Sequence, residues 1–412
     1  MSDRPRVVVT GIGAVTPVGT GVDDFWTGIR SGRNGIRTIT QFPTDDLPVK
    51  VAGEVEGFDA AAYLEPKEAR RTDRVVHFAL AATQLAWEDA GRPEIVSERG
   101  GCIYATGIGG IQTLLNQHLI LLEKGPGRVS PFMVPMLMAN ASAGHIAMRY
   151  GLTGPNMATL SACASSNNAI GEGMRLIRDG YIDLCVVGGS ESATVPLTVA
   201  AFAQMTALTK NPDPETASRP FDAQRNGFVL SEGSATLILE SEDHARARSA
   251  RVYCEVAGYG ASDDAHHITA PDPKGTGATL AMRWALRDAG AQAEDVSYIN
   301  AHGTSTPLND AAETVAIKAA LGEEVAHRIA VSSTKSMTGH MLGAAGAVEG
   351  AVCALAITRG IVPPTIHYAT PDPDCDLDVV PNEARDMEVT LALSNSFGFG
   401  GQNACIAFRA LG

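Results

Sequence analysis

The chain has 412 residues, of which 45% are hydrophobic and 19% are charged, a balance typical of a globular protein. Its formal net charge of −14 argues against nucleic acid or an anionic membrane as the general partner, because phosphate binding needs a basic surface. No apolar run reaches the roughly 18 residues of a membrane-spanning helix. The start, MSDRPRVVVTGIG, predicts a strand rather than a signal peptide, so we expect a cytoplasmic protein.

The first part of the chain alternates predicted strands with predicted helices. Residues 7–14 (VVVTGIGA) predict a strand that runs into a Gly-x-Gly-Ala turn, and residues 85–91 (LAWEDAG) predict the end of an amphipathic helix at a glycine. Another strand ends at 104–107 (YATG), and residues 159–180 predict a strand, a polar break and a helix of small residues. This alternation is typical of βαβ units and of parallel sheets covered on both faces.

The second part of the chain repeats these landmarks in the same order. They are the strand and turn at 253–261 (YCEVAGYGA), the helix end at 284–290 (WALRDAG), the strand end at 300–303 (NAHG) and the small-residue helix within 331–360. Four landmarks in one order indicate a duplication. We therefore predict two similar α/β halves packed face to face, residues 1–250 and 251–412, with the chemistry at strand ends and helix N-termini.

One of the seven cysteines differs from the others by its neighbours. The cysteines are scattered and form no CxxC pair, as expected for reduced thiols in a cytosolic enzyme. Most lie in apolar strands, but Cys163 lies among small hydroxyl and amide residues (TLSACASSNN) before a predicted helix. The helix dipole and free amides favour a thiolate there, and small neighbours leave room for an acyl group. The same stretch also fits a buried cysteine at a closely packed helix start.

Three polar loops of the second half add candidate residues. His302 follows a predicted strand in AHGTSTPLND, and Lys335 and His340 precede a Gly/Ala-rich helix in KSMTGHMLGAAGA. The segment SNSFGFGGQN has three glycines whose backbone can present amides, with Phe397 and Phe399 as candidate gates. Each loop taken alone also fits a structural role.

Together these segments resemble the elongating β-ketoacyl-[acyl carrier protein] synthases of the thiolase superfamily, including the ketosynthase subunits of type II polyketide synthases. The resemblance spans essentially the whole chain and is carried by VVVTGIGAVTPVG, SACASS, RPFDAQRNGFVLSEGS, NAHGTSTPLND, SSTKSMTGHMLGAAGAVE and NSFGFGGQN. It implies a thiolase-like α/β fold, in which duplicated βαβ halves form five layers, α-β-α-β-α. It also implies an acyltransferase that needs neither a metal nor an organic cofactor.

The resemblance assigns catalytic roles to specific residues. Cys163 is expected to accept the acyl group, and His302 and His340 complete a Cys-His-His triad, which in this superfamily accompanies elongation from a carrier-bound chain. Lys335 accompanies the triad. The amides of Cys163 and Phe399 are expected to form the oxyanion hole. The implied reaction is a decarboxylative condensation of the acyl group with malonyl-[acyl carrier protein], which yields 3-oxoacyl-[acyl carrier protein] and CO2.

The resemblance also implies binding residues and partners. The residues expected to line the substrate site are Ile108, Met133, Thr304, Thr306, Phe397 and Gly400. The residues expected to dock the carrier protein are Lys67, Arg70, Arg71 and Arg128. The partners are acyl and malonyl carrier protein, and a second subunit in a dimer whose interface lies near residues 154–160. That subunit is either a second copy or a chain-length-factor-like protein.

Departures from the family pattern leave the catalytic set intact but bear on the pathway. Met133 stands where phenylalanine is common, Thr206 where arginine is common at the carrier-binding rim, and Gln402 where threonine is usual. The sequence leaves open whether the enzyme elongates primary fatty acids or serves a dedicated polyketide or polyene pathway.

Other functions fit the sequence less well. A degradative thiolase uses a second cysteine, and neither Cys375 nor Cys405 has that context; a non-enzymatic chain-length-factor-like subunit is disfavoured by the intact triad. The Gly-x-Gly at 11–13 is not a dinucleotide fingerprint, because the third glycine and the downstream acid that binds the ribose are not at the required spacing. A metal site is a weak hypothesis, and its candidate ligands are Asp263, Asp264, His266 and His267.

Overall fold

The structure is a computed structural model that describes residues 4–411, in which there are fifteen β-strands and fourteen α-helices. The strands are β1 (Val7–Thr16), β2 (Gly19–Thr20), β3 (Ile36–Thr38), β4 (Val51–Gly53), β5 (Gly100–Ala105), β6 (Asn156–Met157), β7 (Leu184–Glu191), β8 (Gly233–Ser241), β9 (Cys254–Asp263), β10 (Tyr298–Asn300), β11 (Ala330–Ser332), β12 (Ile361–Val362), β13 (Arg385–Asp386), β14 (Leu391–Gly398) and β15 (Gln402–Arg409). The helices are α1 (Val22–Arg30), α2 (Pro66–Ala69), α3 (Arg74–Asp89), α4 (Ile111–Lys124), α5 (Met133–Leu137), α6 (Ala141–Tyr150), α7 (Ser165–Arg178), α8 (Pro196–Gln204), α9 (Glu242–Ala247), α10 (Thr276–Ala289), α11 (Pro307–Leu321), α12 (Glu323–Ala326), α13 (Lys335–Thr338) and α14 (Ala345–Arg359).

Local sequence accounts for several of these elements. Every residue of β1 is buried, which matches its almost continuous apolar sequence. Helix α3 begins after Asp73, whose carboxylate accepts a hydrogen bond from the Val75 amide at 3.2 Å. Helices α10 and α14 end at Gly290 and Gly360, whose φ angles of 61° and 63° are left-handed and favour glycine.

The main sheet contains the same five-strand arrangement twice. The first half has the order β6-β5-β7-β8-β1 and the second has the order β11-β10-β14-β15-β9. In each order, the first three strands pair parallel to one another. The fourth strand then pairs antiparallel to both the third and the fifth. The two sets meet where β1 pairs with β9 over only two residue pairs. This repeated order confirms the duplicated architecture, while the exact boundary at residue 250 stays a prediction.

The expectation of parallel sheets was wrong for two strands, β8 and β15. β15 follows β14 through a short hairpin, and a short hairpin can join only antiparallel strands. β8 lies antiparallel to both β7 and β1, as β15 does to β14 and β9. The sheets are therefore mixed.

The helices complete the five predicted layers. Helices α7 and α14 contact each other and strands of both halves, so they form the central layer. Helices α3 and α6 cover the first half, and α10 and α11 pack together on the outside of the second half. The segment Leu342–Arg359 is long and apolar enough to cross a membrane, but 83% of it is buried inside the protein, the position of a core helix.

Candidate active site

The predicted triad comes together from three separate loops. Cys163 precedes the central helix α7, His302 follows β10, and His340 lies between α13 and α14. The Nε2 atom of His340 is 3.0 Å from the Cys163 sulfur, and the ligating atoms of all three residues lie within 4.8 Å of one another. The histidine rings meet edge to face, with centroids 5.3 Å apart. The thiol therefore has two imidazoles within reach of a substrate bound to it.

A strained turn presents the nucleophile. Ala162, just before Cys163, has a φ of 48°, which is rare for a residue with a side chain. The Ser165 hydroxyl holds this turn, because it donates to the Ala162 carbonyl at 2.6 Å and accepts from the Ser161 amide at 2.8 Å. Small side chains around the cysteine thus build a tight turn at the start of α7.

The end of β14 closes over this turn at Gly398. A Cβ atom on Gly398 would lie 2.6 Å from the Ser161 carbonyl oxygen and 3.1 Å from the Cys163 nitrogen, so only glycine allows this approach. The approach brings the Phe399 amide within hydrogen-bonding reach of the Cys163 sulfur. The two amides expected to form the oxyanion hole, those of Cys163 and Phe399, therefore belong to adjoining loops.

Lys335 forms a buried ion pair beside the histidines. It is only 1% exposed, and its ammonium group pairs with Glu349 of α14, which is 2% exposed. Its Nζ atom is 3.4 Å from Nδ1 of His302. An ammonium group only donates hydrogen bonds, so this contact makes Nδ1 the acceptor and leaves the imidazole proton on Nε2.

Glu313 was not singled out from the sequence, yet it holds the His302 loop. This buried carboxylate of α11 accepts the backbone amides of His302 at 2.8 Å and of Gly303 at 2.7 Å. The Asn395 side chain donates to the same carboxylate at 3.2 Å. The sequence signal for this role was an acidic residue within the helix that follows the histidine loop.

Burial sets the protonation states of the triad. It raises the pKa of the Cys163 thiol to about 12, against the charge of Lys335 and the Phe399 amide, which favour the thiolate. It also holds the pKa of His302 and of His340 well below 6.5, and the Lys335 charge lowers both further. Burial therefore opposes the thiolate that the helix N-terminus was expected to favour, and it disfavours the charged form of both imidazoles.

A cavity of about 690 Å³ opens onto the triad. Four of the predicted substrate residues line it, namely Ile108, Thr304, Thr306 and Phe397. The two threonine hydroxyls bond to each other at 2.9 Å. The other two, Gly400 and Met133, are not among the lining residues, although Phe399 and Gly401 on either side of Gly400 are.

The predicted docking residues lie on the surface. Lys67 belongs to α2, Arg70 and Arg71 follow it, and these three side chains and Arg128 are exposed. The Arg71 guanidinium lies 4.4 Å from the ring centroid of Phe132, which joins the first basic segment to the loop after Arg128. The two segments therefore adjoin.

The weak metal hypothesis has an alternative structural explanation. Asp264 accepts a hydrogen bond from the Asn403 side chain at 2.8 Å. Nδ1 of His267 accepts the amides of Thr269 and Ala270, each at 3.1 Å. These side chains brace the loop in which they lie.

Comparison with known proteins follows the same division of the chain. The family model described as beta-ketoacyl synthase, N-terminal domain, matches residues 4–245, and its C-terminal counterpart matches residues 253–369. The chain belongs to the β-ketoacyl synthase family. This membership confirms the family recognised from the sequence, and with it a condensing enzyme of the acyltransferase type.

Individual relatives match over nearly the full chain. The 3-oxoacyl-[acyl-carrier-protein] synthase 2 of Synechocystis sp. is 52% identical over 410 residues, which are 99% of this chain and 98% of the relative. Among solved structures, the ishigamide ketosynthase/chain length factor has a TM-score of 0.93 at 36% identity. The match covers 99% of this chain and 100% of the chain in that structure. A type II polyketide synthase acyl-carrier protein in complex with its ketosynthase bound to the hexaketide gives 0.92 at 35% identity, with the same coverage.

Proposed function

We propose that this synthase condenses an acyl group held on Cys163 with malonyl-[acyl carrier protein], yielding 3-oxoacyl-[acyl carrier protein] and CO2. The observation that carries the proposal is the triad itself. A buried thiol lies 3.0 Å from one neutral imidazole, with a second in the same cluster, at a cavity large enough for an acyl chain.

In the first step, the acyl group moves from the carrier to Cys163. The sulfur attacks the thioester carbonyl while its proton passes to Nε2 of His340, and the amides of Cys163 and Phe399 stabilise the oxyanion. At comparable sites each such donor contributes about 3–4 kcal/mol to the transition state. The carrier's C–S bond then breaks, and the proton passes from His340 to the departing thiolate, which leaves an acyl-enzyme.

In the second step, malonyl-[acyl carrier protein] loses CO2. Nε2–H of His302 and Nε2–H of His340 donate to the malonyl thioester carbonyl, so that the electrons of the broken C–C bond form a stabilised enolate. The enolate carbon attacks the acyl carbonyl, the bond to Cys163 breaks and its electrons leave a thiolate, which takes one proton from solvent water to restore the thiol. Nδ1 of His340 has no hydrogen-bond partner among residues 4–411, so both tautomers that these steps need are open to it.

A reconstitution with acyl and malonyl carrier proteins tests the proposal. Cys163→Gln should abolish the 3-oxoacyl product but keep decarboxylation of malonyl-[acyl carrier protein], whereas His302→Ala should lose both. The matched control is Cys375→Ala, which replaces a buried cysteine outside the site and should keep both activities. A 3-oxoacyl product from the Cys163→Gln variant would refute the assigned nucleophile.

The carrier protein is proposed to dock on the basic patch formed by Lys67, Arg70, Arg71 and Arg128. Charge supports this choice, since an acidic carrier would be repelled by a protein with a net charge of −14 unless cations gather locally. The adjacency of the two segments and the carrier-bound ketosynthase among the similar structures also support it.

The enzyme is further proposed to act as a cytoplasmic dimer with an interface around β6. This strand is an open edge of the main sheet. Large apolar side chains are exposed on β6 and nearby segments, namely Val134, Met138, Met148, Met157 and Leu160. A homodimer is the first choice. A chain-length-factor-like partner in a polyketide or polyene pathway is the alternative, and the likeness to the ishigamide pair supports it at lower identity than the synthase 2 relative.

A further inference from the structure

A buried carboxylate outside the triad binds two loops of the cavity at once. Glu191, the last residue of β7, has no exposed surface. Its Oε1 accepts the Thr106 hydroxyl at 3.1 Å and the Ile108 amide at 3.2 Å. Its Oε2 accepts the amides of Gly107 at 2.7 Å and of Gly343 at 3.0 Å. Every bond is donated to the carboxylate, so all four depend on its two oxygens acting as acceptors.

The two loops come from different halves of the duplicated fold. Residues 106–110 follow β5, and Gly343 lies in the single helical turn Leu342–Ala344 that follows His340. The loops touch backbone to backbone, because a Cβ atom on Gly343 would overlap the amide of Gly107. Glu191 is therefore the side chain that links them at their point of contact.

Each loop carries one side chain of the cavity wall. Ile108 and Leu342 both line the cavity, and Leu342 packs in one apolar cluster with Cys163. Leu342 has a φ of 45°, a conformation that a branched side chain adopts only when its surroundings hold it. The Ser166 hydroxyl donates to the Gly343 carbonyl, so this turn is held from both sides.

The chemistry requires an ionised group. Burial raises the pKa of Glu191 to about 7, and its four donors oppose that rise. A glutamine has the same shape but carries an NH2 group, which would face an amide donor in either orientation. The arrangement therefore suits glutamate and no neutral isostere.

We infer that Glu191 is a positioning residue, which ties the Ile108 loop to the Leu342 turn and thereby sets the length of acyl chain that the cavity accepts. The inference rests on the proposed function for its acyl substrate. The tie itself does not, because it is a property of the folded chain.

Acyl-chain selectivity tests the role of the tie. In Glu191→Gln the ratio of kcat/KM for a long acyl carrier substrate to that for a short one should change roughly tenfold. Loss of the charge weakens the bonds to both loops, and one hydrogen bond to a charged group contributes about that much. Thr106→Val removes one donor to Glu191 and also the acceptor of the Gly109 amide, so it should shift the ratio in the same direction. Thr106→Ser keeps the hydroxyl and both bonds, and it should restore the ratio. Glu172→Gln, on the exposed side of α7, is the matched control.

Hydrogen exchange tests the tie without activity. Amides of residues 106–110 and of residues 342–344 should both exchange faster in Glu191→Gln, whereas Thr106→Val should loosen the first segment alone. Equal loss of activity on both chain lengths, or faster exchange in only one segment of Glu191→Gln, would overturn the inference. If Glu191→Gln fails to fold, the Thr106 pair decides it. A wild-type protein that condenses no acyl chain would refute the proposed function. The exchange data would still test whether Glu191 links the two loops.

Discussion

Replacing Lys335 with methionine should destabilise the protein strongly, because it leaves the Glu349 carboxylate buried without its partner. Both side chains are at most 2% exposed, and their charged atoms are in direct contact. Breaking a buried pair by removing one member costs about 3–5 kcal/mol of unfolding free energy. The double variant Lys335→Met/Glu349→Gln buries no charge at this position, and replacement of both members of such pairs is often close to neutral.

The pH dependence of this loss follows from Glu349. Burial raises its pKa to about 7 even with Lys335 present, and without that cation the pKa rises further. A carboxyl group whose pKa is higher in the folded state contributes stability that is lost as pH rises through that pKa. Between pH 7 and 8 the variant should therefore lose up to about 1.4 kcal/mol, since one pKa unit is worth about that amount. The wild type loses a few tenths of a kcal/mol in the same window, because its Glu349 pKa is about 7, so the difference should be about 1 kcal/mol.

Urea unfolding at fixed protein concentration measures these differences, with the wild type, both single variants and the double variant at pH 7 and 8. The double variant should recover most of the stability that Lys335→Met loses. If the two single losses simply add in the double variant, the ion pair contributes nothing through its coupling and the argument fails. An equal loss at both pH values would refute the role given to Glu349.

Three further predictions concern catalysis and docking. Gly398→Ala should lower kcat about 100-fold or more with little change in KM. The new Cβ would lie 2.6 Å from the Ser161 carbonyl oxygen, so the loop must shift and move the Phe399 amide away from the oxyanion. A kcat within a few-fold of the wild-type value would contradict this. Because the pKa of each triad histidine lies well below 6.5, the rate of malonyl decarboxylation should stay level as pH falls from 7 to 6, and a loss centred at 6.5 would show ordinary histidines. Reversal of Arg70 and Arg71 to glutamate should raise KM for carrier-bound substrates and weaken its salt dependence, yet spare small acyl thioesters; equal losses on both substrate types would mean that these arginines support the fold.

The candidate catalytic residues could be predicted from the sequence, because their chemistry restricts the residue types around them. Cys163 needs small neighbours for a tight turn, and Gly398 needs no side chain at all, so both left a pattern in the chain. The duplicated landmarks predicted the two similar α/β halves, since each half repeats strands and helices in the same order, while the five layers came from the family resemblance. Strand direction left no such pattern, because buried parallel and antiparallel strands have the same apolar sequence, and the antiparallel β8 and β15 were missed.

The supporting carboxylates could not be predicted for a different reason. Glu313 and Glu191 bind backbone amides, and a backbone amide carries no mark in the sequence. Glu191 contacts residues 84 and 152 positions away in the chain, and only the folded topology brings them together. The rise in the pKa of Cys163 was likewise out of reach, because it comes from burial in the folded protein rather than from neighbours in the chain.

The central claim is that Cys163 carries the acyl chain, and intact-protein mass spectrometry tests it most directly. After incubation with an acyl carrier protein substrate and no malonyl partner, the wild type should gain the mass of one acyl group per chain, and peptide mapping should place it on Cys163. Cys163→Ala should gain none while unfolding at the same urea concentration as the wild type. Acylation that persists in Cys163→Ala, or that maps to another residue, would contradict the account.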